Sequence, residues 1–364
     1  MLKKGREVVE RGTVLVLGSG ATRGGQFKVH IDERSLTPPL DNDFFESEAV
    51  KAVLCTRSYP ALSYYKRGHR LESNWANIDL RLKLCLGRVI TEEDAWENCK
   101  NDMMDKSKED SAYKEKMENE SCESRVPSMA EWELRRSVRE VYHDLRSPEP
   151  TEESPLYKLV TALCDETLLR GIISFNYDTS VEELLHNKFY YPVLQDISTN
   201  DKLPLVKLHG SLNWQESPEL KPEITCVDDI AEMNYRNGQW KQPSVIGPTF
   251  FKQEITIDFQ QDYRAKFYRQ LWRFAWNMLR TAQNLLFVGF SFPKTDFHAK
   301  ALFGSAHSPS GRFGRVILCH KDGAQLRKTV KKVFEGESTY INEFNDGLED
   351  VATQHLEEVV ELLR

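Results

Sequence analysis

The chain has 364 residues, of which 40% are hydrophobic and 29% charged, and its 18 Phe, 13 Tyr and 7 Trp supply core material that a disordered chain lacks. A net charge of −7 excludes a global basic field for nucleic acid, and the longest apolar runs fall far below the roughly 20 residues of a membrane helix. Seven cysteines with no C-x-x-C pair exclude a disulfide frame or a zinc knuckle and point to free thiols, and the first ten residues lack the apolar stretch of a secretory leader, so a cytoplasmic protein is expected.

Thr13–Leu17 reads as a buried strand that ends in Gly18-Ser19-Gly20. Residues 23–45 read as an irregular loop, broken by Gly24-Gly25 and Pro38-Pro39, and Phe44-Phe45 leads into a helix through Leu54. Residues 66–130 are rich in Lys, Glu, Asp and Asn. They are expected to form a solvated helical insertion or a loop, with a lid or assembly surface as the sharper alternative. Trp132, Leu134, Val138, Val141, Tyr142 and Leu145 recur near helical spacing and predict a helix over Met129–Leu145, ended by Pro148 and Pro150.

Pro155–Leu169 predicts a helix that feeds a strand at Gly171–Phe175. Another helix starts at Ser180, and Leu203–Leu208 is the next strand. Residues 215–260 are mixed and turn-rich. Tyr263–Leu279 predicts a strong helix with Phe267, Leu271, Phe274, Ala275 and Met278 on its apolar face, core and interface anchors rather than a base-stacking platform. Strands follow at Asn284–Phe290 and Gly314–Cys319 across a Gly/Ser-rich connection. Next come a helix at Gly323–Val333, a short strand near Thr339–Ile341 and a final helix over Leu348–Leu363. The alternation predicts an α/β fold: a Rossmann-like, mostly parallel sheet flanked by helices, with a helical polar insertion. Residues 1–364 are read as one domain and 66–150 as the insertion.

Four polar clusters sit at the ends of apolar runs, where an open α/β sheet places its ligand chemistry. In the Gly18–Thr22 turn, glycines let backbone approach a pyrophosphate; a plain tight turn reads the same residues equally well. Asn176-Tyr177-Asp178 offers donor, acceptor and fixed negative charge, or else an Asx turn at a helix start. His209-Gly210-Ser211 offers a general base near neutral pH, or a hydrogen-bonded structural His, with Asn213-Trp214 as a polar and an aromatic wall. Gly289-Phe290-Ser291 precedes Asp296 and His298, the latter read as structural; its plain alternative is a glycine strand end before a Pro293 turn. No His, Cys and carboxylate set has zinc spacing, so no metal is expected.

Taken in order, these segments resemble the sirtuin superfamily, and within it the bacterial sirtuin-like branch used in antiphage defence. In sirtuins the first strand ends Gly-Ala-Gly-Ile-Ser, matched here by Gly18-Ser19-Gly20-Ala21-Thr22. The Gln-Asn-Ile-Asp segment is matched by Phe175-Asn176-Tyr177-Asp178, the His-Gly pair by His209-Gly210, and Gly-Thr-Ser by Gly289-Phe290-Ser291. Ile246-Gly-Pro-Thr-Phe-Phe-Lys252 also resembles a segment of the defence branch, while residues 66–150 have no counterpart. The two C-x-x-C pairs of the sirtuin deacylase zinc module are missing.

The resemblance implies hydrolysis of NAD+ to nicotinamide and ADP-ribose, with NAD as substrate and abortive infection as the setting. It implies that Asn176 orients water and ribose, that His209 acts as base and that Asp178 holds the nicotinamide carboxamide. It implies a pyrophosphate site at Gly18, Ser19, Gly20, Ala21 and Thr22, and an adenosine side at Gly289, Ser291 and His320. Control is expected through homo-oligomerisation or a separately encoded partner of the HerA-like ring ATPase or Argonaute kind, with the 66–150 insertion and the 263–279 helix as the surfaces. No membrane or direct nucleic-acid partner is expected. The alternatives are a non-catalytic NAD or ADP-ribose binding module, a zinc-free NAD-dependent protein deacylase and, behind both, a dehydrogenase.

Overall fold

The computed structural model describes residues 12–56, 59–65, 70, 71, 74, 75, 78, 93–118, 125–194, 202–217, 223–226, 243–246, 263–293, 296–306, 313–334 and 340–364. Among them the strands are, in chain order, β1 (Thr13–Leu17), β2 (Lys28–Ile31), β3 (Arg34–Leu36), β4 (Leu145–Arg146), β5 (Leu169–Ser174), β6 (Phe189–Tyr190), β7 (Leu203–Lys207), β8 (Gly210–Ser217), β9 (Glu223–Cys226), β10 (Pro243–Val245), β11 (Asn284–Val288), β12 (Arg315–Cys319) and β13 (Tyr340–Phe344). Seven of them form one sheet in the order β13-β12-β11-β1-β5-β7-β6, and every pairing in it is parallel.

β1 lies in the middle because it is apolar on both faces. All five of its residues are buried, as an inner parallel strand requires. The order steps outward from β1 in both directions, through β11 to β13 on one side and through β5 to β6 on the other. Such a reversal opens a crevice at the carboxyl ends, here beside β1 and β11.

Two groups of helices flank the sheet. Pro155–Asp165 packs with Leu348–Gln354 and Leu356–Leu363, and Tyr263–Arg280 packs with Phe297–Ala306, which meets Gly323–Val333. Leu156, Leu159, Val160 and Leu163 bury the face of the first, and Phe267, Tyr268, Leu271, Trp272, Ala275, Met278 and Leu279 that of the second. The Tyr263–Arg280 helix therefore turns its main apolar stripe into its own core and is not a free interface, as the sequence reading had left open. Phe274 and Trp276 are half-buried against that core.

A second core gathers Val29, Phe44, Phe45, Val50, Leu62, Trp75, Met129, Trp132, Leu134, Val138 and Val141, with Leu212 and Val245 from the β8–β10 region. Glu93–Glu109 and Ser111–Glu118 are helical within the polar stretch. The helix expected over Met129–Leu145 runs over Arg125–Tyr142, and Leu145 belongs to β4.

Three expectations are corrected. Residues 23–45 are not an irregular loop: β2 and β3 pair antiparallel, and Asp32 and Glu33 make the turn at φ 47° and 64°. Asp32 suits the first left-handed position, but the second usually calls for Gly, and Glu33 there hides the turn. Residues 215–260 contribute regular structure, because β8 pairs antiparallel with β9 and β10. The final helix is two, Leu348–Gln354 and Leu356–Leu363, broken at His355. The 307–312 connection, Thr339 and the 247–252 part of the defence-branch segment lie outside the described residues, as do most of residues 66–92.

Candidate active site

Five strands end in the residues singled out by sequence. Along the carboxyl edge the order is His320 after β12, Gly289 and Ser291 after β11, Gly18–Thr22 after β1, Asn176 and Asp178 after β5, and His209 after β7.

Thr22 joins two of these ends. Its hydroxyl donates to Asp178 Oδ2 at 2.8 Å and accepts from Asn176 Nδ2 at 3.1 Å. Asn176 Nδ2 also donates to the Gly18 carbonyl at 3.0 Å. Both amide hydrogens of Asn176 are thereby engaged, and its Oδ1 is the group left to orient a ligand. Asp178 Oδ1 accepts the Ser180 N–H at 3.0 Å, so the Asx turn at a helix start is real and coexists with the contact to Thr22. Asn176, Asp178 and Thr22 are all buried, so an unmatched hydrogen bond there would be costly.

The expected turn is the start of a short helix, Ser19–Gly24, with Gly18 before it, and its glycines are closely packed. A Cβ on Gly18 would stand 2.5 Å from the Gly289 carbonyl oxygen, and one on Gly20 2.8 Å from Gly289 Cα. Gly289 itself has φ +62° and leaves no room for a side chain against Ala21 N at 2.2 Å. Gly18 N–H donates to the Val288 carbonyl, Gly20 N–H to the Gly289 carbonyl and Ala21 N–H to the Gly18 carbonyl. These glycines thus allow two strand ends to touch, and three of the turn's amides are already committed. Ser19 is half-buried, and its hydroxyl makes no hydrogen bond within the described structure. Ser291 is exposed and His320 half-buried.

His209 stands at the far end of this row, buried, with its ring in T-shaped packing with the Phe175 ring at 5.2 Å and its Nε2 2.9 Å from Asp296 Oδ2. The next residue, Gly210, has φ +83°, and a Cβ there would meet the Ser244 carbonyl oxygen at 2.1 Å. Trp214, expected as an aromatic wall, lies in the core between Tyr191 and Phe267 instead. His298 packs against Trp272 and Phe297, and Asn213 donates to the Tyr191 hydroxyl.

Two charged residues that the sequence reading gave no role help to build this site. Lys207 ends the otherwise apolar strand β7. Its Nζ donates to the Asp178 carbonyl, to the Tyr177 carbonyl at 3.4 Å and to Glu182 Oε1 at 2.8 Å, clamping the Asn-Tyr-Asp turn from beneath. The Tyr191 hydroxyl donates to the same Glu182 oxygen at 2.7 Å. Burial first, then the Glu182 charge, pushes the Tyr191 phenol well above its ordinary value. A lysine in a buried strand was the available signal. Asp296 gave a weaker one, as an acidic residue just before the Phe297–Ala306 helix.

Burial pushes the Cys319 thiol up to about 12, so it stays protonated and inert. Burial also lowers the His320 imidazole, opposed by the charge of Asp322. No cluster of three or more His, Cys, Asp or Glu fit to hold a metal occurs among the described residues, and no helix there is long and apolar enough to cross a membrane.

The structure is similar to a Sir2 homologue in complex with NAD, with TM-score 0.44 and 11% identity over 98% of this chain and 93% of that one. It is also similar to a triply mutated Sir2 homologue bound to 2′-O-acetyl ADP ribose, with TM-score 0.46 and 12% identity over 96% and 92%. A further Sir2 enzyme gives TM-score 0.43 and 11% identity over 98% and 95%. No protein-family model matches the chain. No curated protein matches it. The chemistry of the site therefore rests on this chain's own side chains.

Proposed function

We propose that this protein hydrolyses NAD+ to nicotinamide and ADP-ribose, as the effector of an antiphage defence system that drains the cofactor. The observation that carries the reading is the convergence of the Gly18–Thr22 turn, Asn176, Asp178 and His209 at the carboxyl ends of three adjacent strands, with Thr22 hydrogen-bonded to both Asn176 and Asp178. The sirtuin-like order of these motifs supports NAD+ as the ligand.

The reaction consumes one water and releases one proton. The bond between ribose C1′ and the nicotinamide nitrogen breaks, and its electron pair neutralises the pyridinium. Water oxygen bonds to C1′, and its proton passes to the His209 imidazole and then to solvent. Asn176 Oδ1 orients the water or a ribose hydroxyl, the geometry being set by the two hydrogen bonds of its amide nitrogen. Asp178 accepts the carboxamide N–H through lone pairs not used by Thr22 and Ser180, and its charge favours the cationic ribose. Of the predicted pyrophosphate residues, the Ser19 hydroxyl takes the direct contact, since the Gly18, Gly20 and Ala21 amides are bonded internally. Gly289, Ser291 and His320 line the adenosine side.

The deciding experiment separates the products of NAD+ incubation by chromatography, with His209→Ala and Asn176→Ala in parallel. Nicotinamide and ADP-ribose are expected from the unmutated protein, with losses of about 10²–10⁴-fold in each variant. Full activity in either variant overturns its role. Nicotinamide release that depends on an added acyl-lysine peptide would make the protein a deacylase. Bound NAD+ that stays intact on long incubation would make it a binding module.

We read control as coming from homo-oligomerisation or from a HerA-like ring ATPase or similar defence partner, with 1–364 acting as one domain that carries the 66–150 insertion. A monodisperse, fully active monomer would overturn that part.

A further inference from the structure

We infer that Asp296 is a positioning residue for His209 and sets which ring nitrogen carries the proton. The inference rests on the proposed role of His209 as base. The two side chains meet at 2.9 Å, Oδ2 to Nε2, and are only 2% and 7% exposed.

Asp296 is rigidly held. Its Oδ1 accepts the Ala299 N–H at 3.1 Å, at the start of the Phe297–Ala306 helix, and its own N–H donates to the Pro293 carbonyl at 3.1 Å. Residues 289–290, which follow β11, lie against the ends of β1 and β5, with Gly289 against Gly20 and Ala21 and Phe290 stacked on Phe175 at 4.3 Å. Phe292, at φ +50°, is wedged among Phe287, Phe290 and Phe303. His209 is fixed from its own side by Ile246 N–H on its carbonyl at 2.8 Å and by T-shaped packing with the Phe175 ring.

A cap alone needs one oxygen, which Ser, Thr or Asn supplies equally well. Asp296 has a second oxygen, and it faces the imidazole. A carboxylate beside a ring nitrogen favours a proton there, so Asp296 Oδ2, 2.9 Å from Nε2, biases the proton to Nε2 and leaves Nδ1 with the lone pair that a base requires. A buried acceptor behind a catalytic histidine fixes tautomer and orientation together.

The test uses Asp296→Asn and Asp296→Ser in the full chain. Asparagine has one oxygen. With that oxygen on the Ala299 N–H, its NH2 faces Nε2 and forces the proton onto Nδ1. Nitrogen-15 NMR of His-labelled protein at about pH 8, with His209 assigned by its loss in His209→Gln, reads the tautomer without any turnover. The wild type is expected to be protonated at Nε2 and Asp296→Asn at Nδ1. In NAD+ hydrolysis kcat should fall about 10²–10⁴-fold in Asp296→Asn with KM within about threefold, and by less in Asp296→Ser. Both variants should keep the wild-type melting temperature to within a few degrees. An unchanged tautomer with unchanged kcat, or a wild-type ring protonated on both nitrogens, overturns the inference. A flipped tautomer in a protein with no NAD+ turnover upholds the positioning and overturns the hydrolase reading instead.

Discussion

The Thr22 hydroxyl and the Asp178 carboxylate meet at 2.8 Å across 156 residues of sequence. Because Thr22 also accepts from Asn176, one hydroxyl orders the glycine turn and the Asn-Tyr-Asp turn with respect to each other. Replacing it by the isosteric Val leaves Asp178 Oδ2 and Asn176 Nδ2 each one partner short. Thr22→Val is expected to cost about 1–3 kcal/mol in urea unfolding, and Thr22→Ser less than about 1. Equal stability of Thr22→Val and wild type would show that water replaces the hydroxyl freely.

Gly289 has φ +62°, and any Cβ there would press on the backbone of Gly20 and Ala21. Neither obstacle can rotate away, so Gly289→Ala should lose at least about 2 kcal/mol. At Gly24 the nearest atom is Leu348 Cβ, a side chain, at 3.1 Å. Gly24→Ala should therefore be the milder change, and thermal melts that rank the two in reverse would contradict this account of the crevice wall.

Lys207 and Glu182 form an ion pair at 2.8 Å in which Lys207 is only 1% exposed. Lys207→Met strands a buried carboxylate and should cost about 3–5 kcal/mol. Adding Glu182→Gln removes the orphaned charge and should recover part of the loss. If the double variant is no more stable than Lys207→Met alone in denaturant titrations, the pair is not coupled.

His320 sits below its ordinary value of 6.5 because burial disfavours its charged form, with Asp322 opposing. The unfolded chain thus takes up a proton near pH 6.5 that the folded chain accepts only at lower pH. This contribution to stability is complete above 6.5 and falls as pH drops from 6.5 through the folded value. His320→Asn keeps an acceptor for the Asp322 N–H, which Nδ1 accepts at 3.0 Å in the wild type, without titrating. Wild type should therefore lose more melting temperature than the variant between about pH 7.5 and pH 5. An NMR midpoint for His320 above 6.5 would refute the burial argument.

Strand β1, the Ser180–Leu185 and Gly323–Val333 helices and the placement of polar clusters at strand ends were determined by sequence alone. Apolar runs and helical spacing decide such elements locally. The β2–β3 hairpin was not legible, because Glu33 enters left-handed backbone at a position that Gly usually marks. Trp214 was misjudged because β8 is buried on both faces at Ser211–Trp214, which only the packing of two cores against it decides. The contacts of Thr22 with Asp178, Lys207 with Glu182 and His209 with Asp296 were decided by tertiary structure. Each joins residues on elements far apart in the chain, a strand end with another turn, a helix or a helix start, and no local preference encodes the path that brings them together.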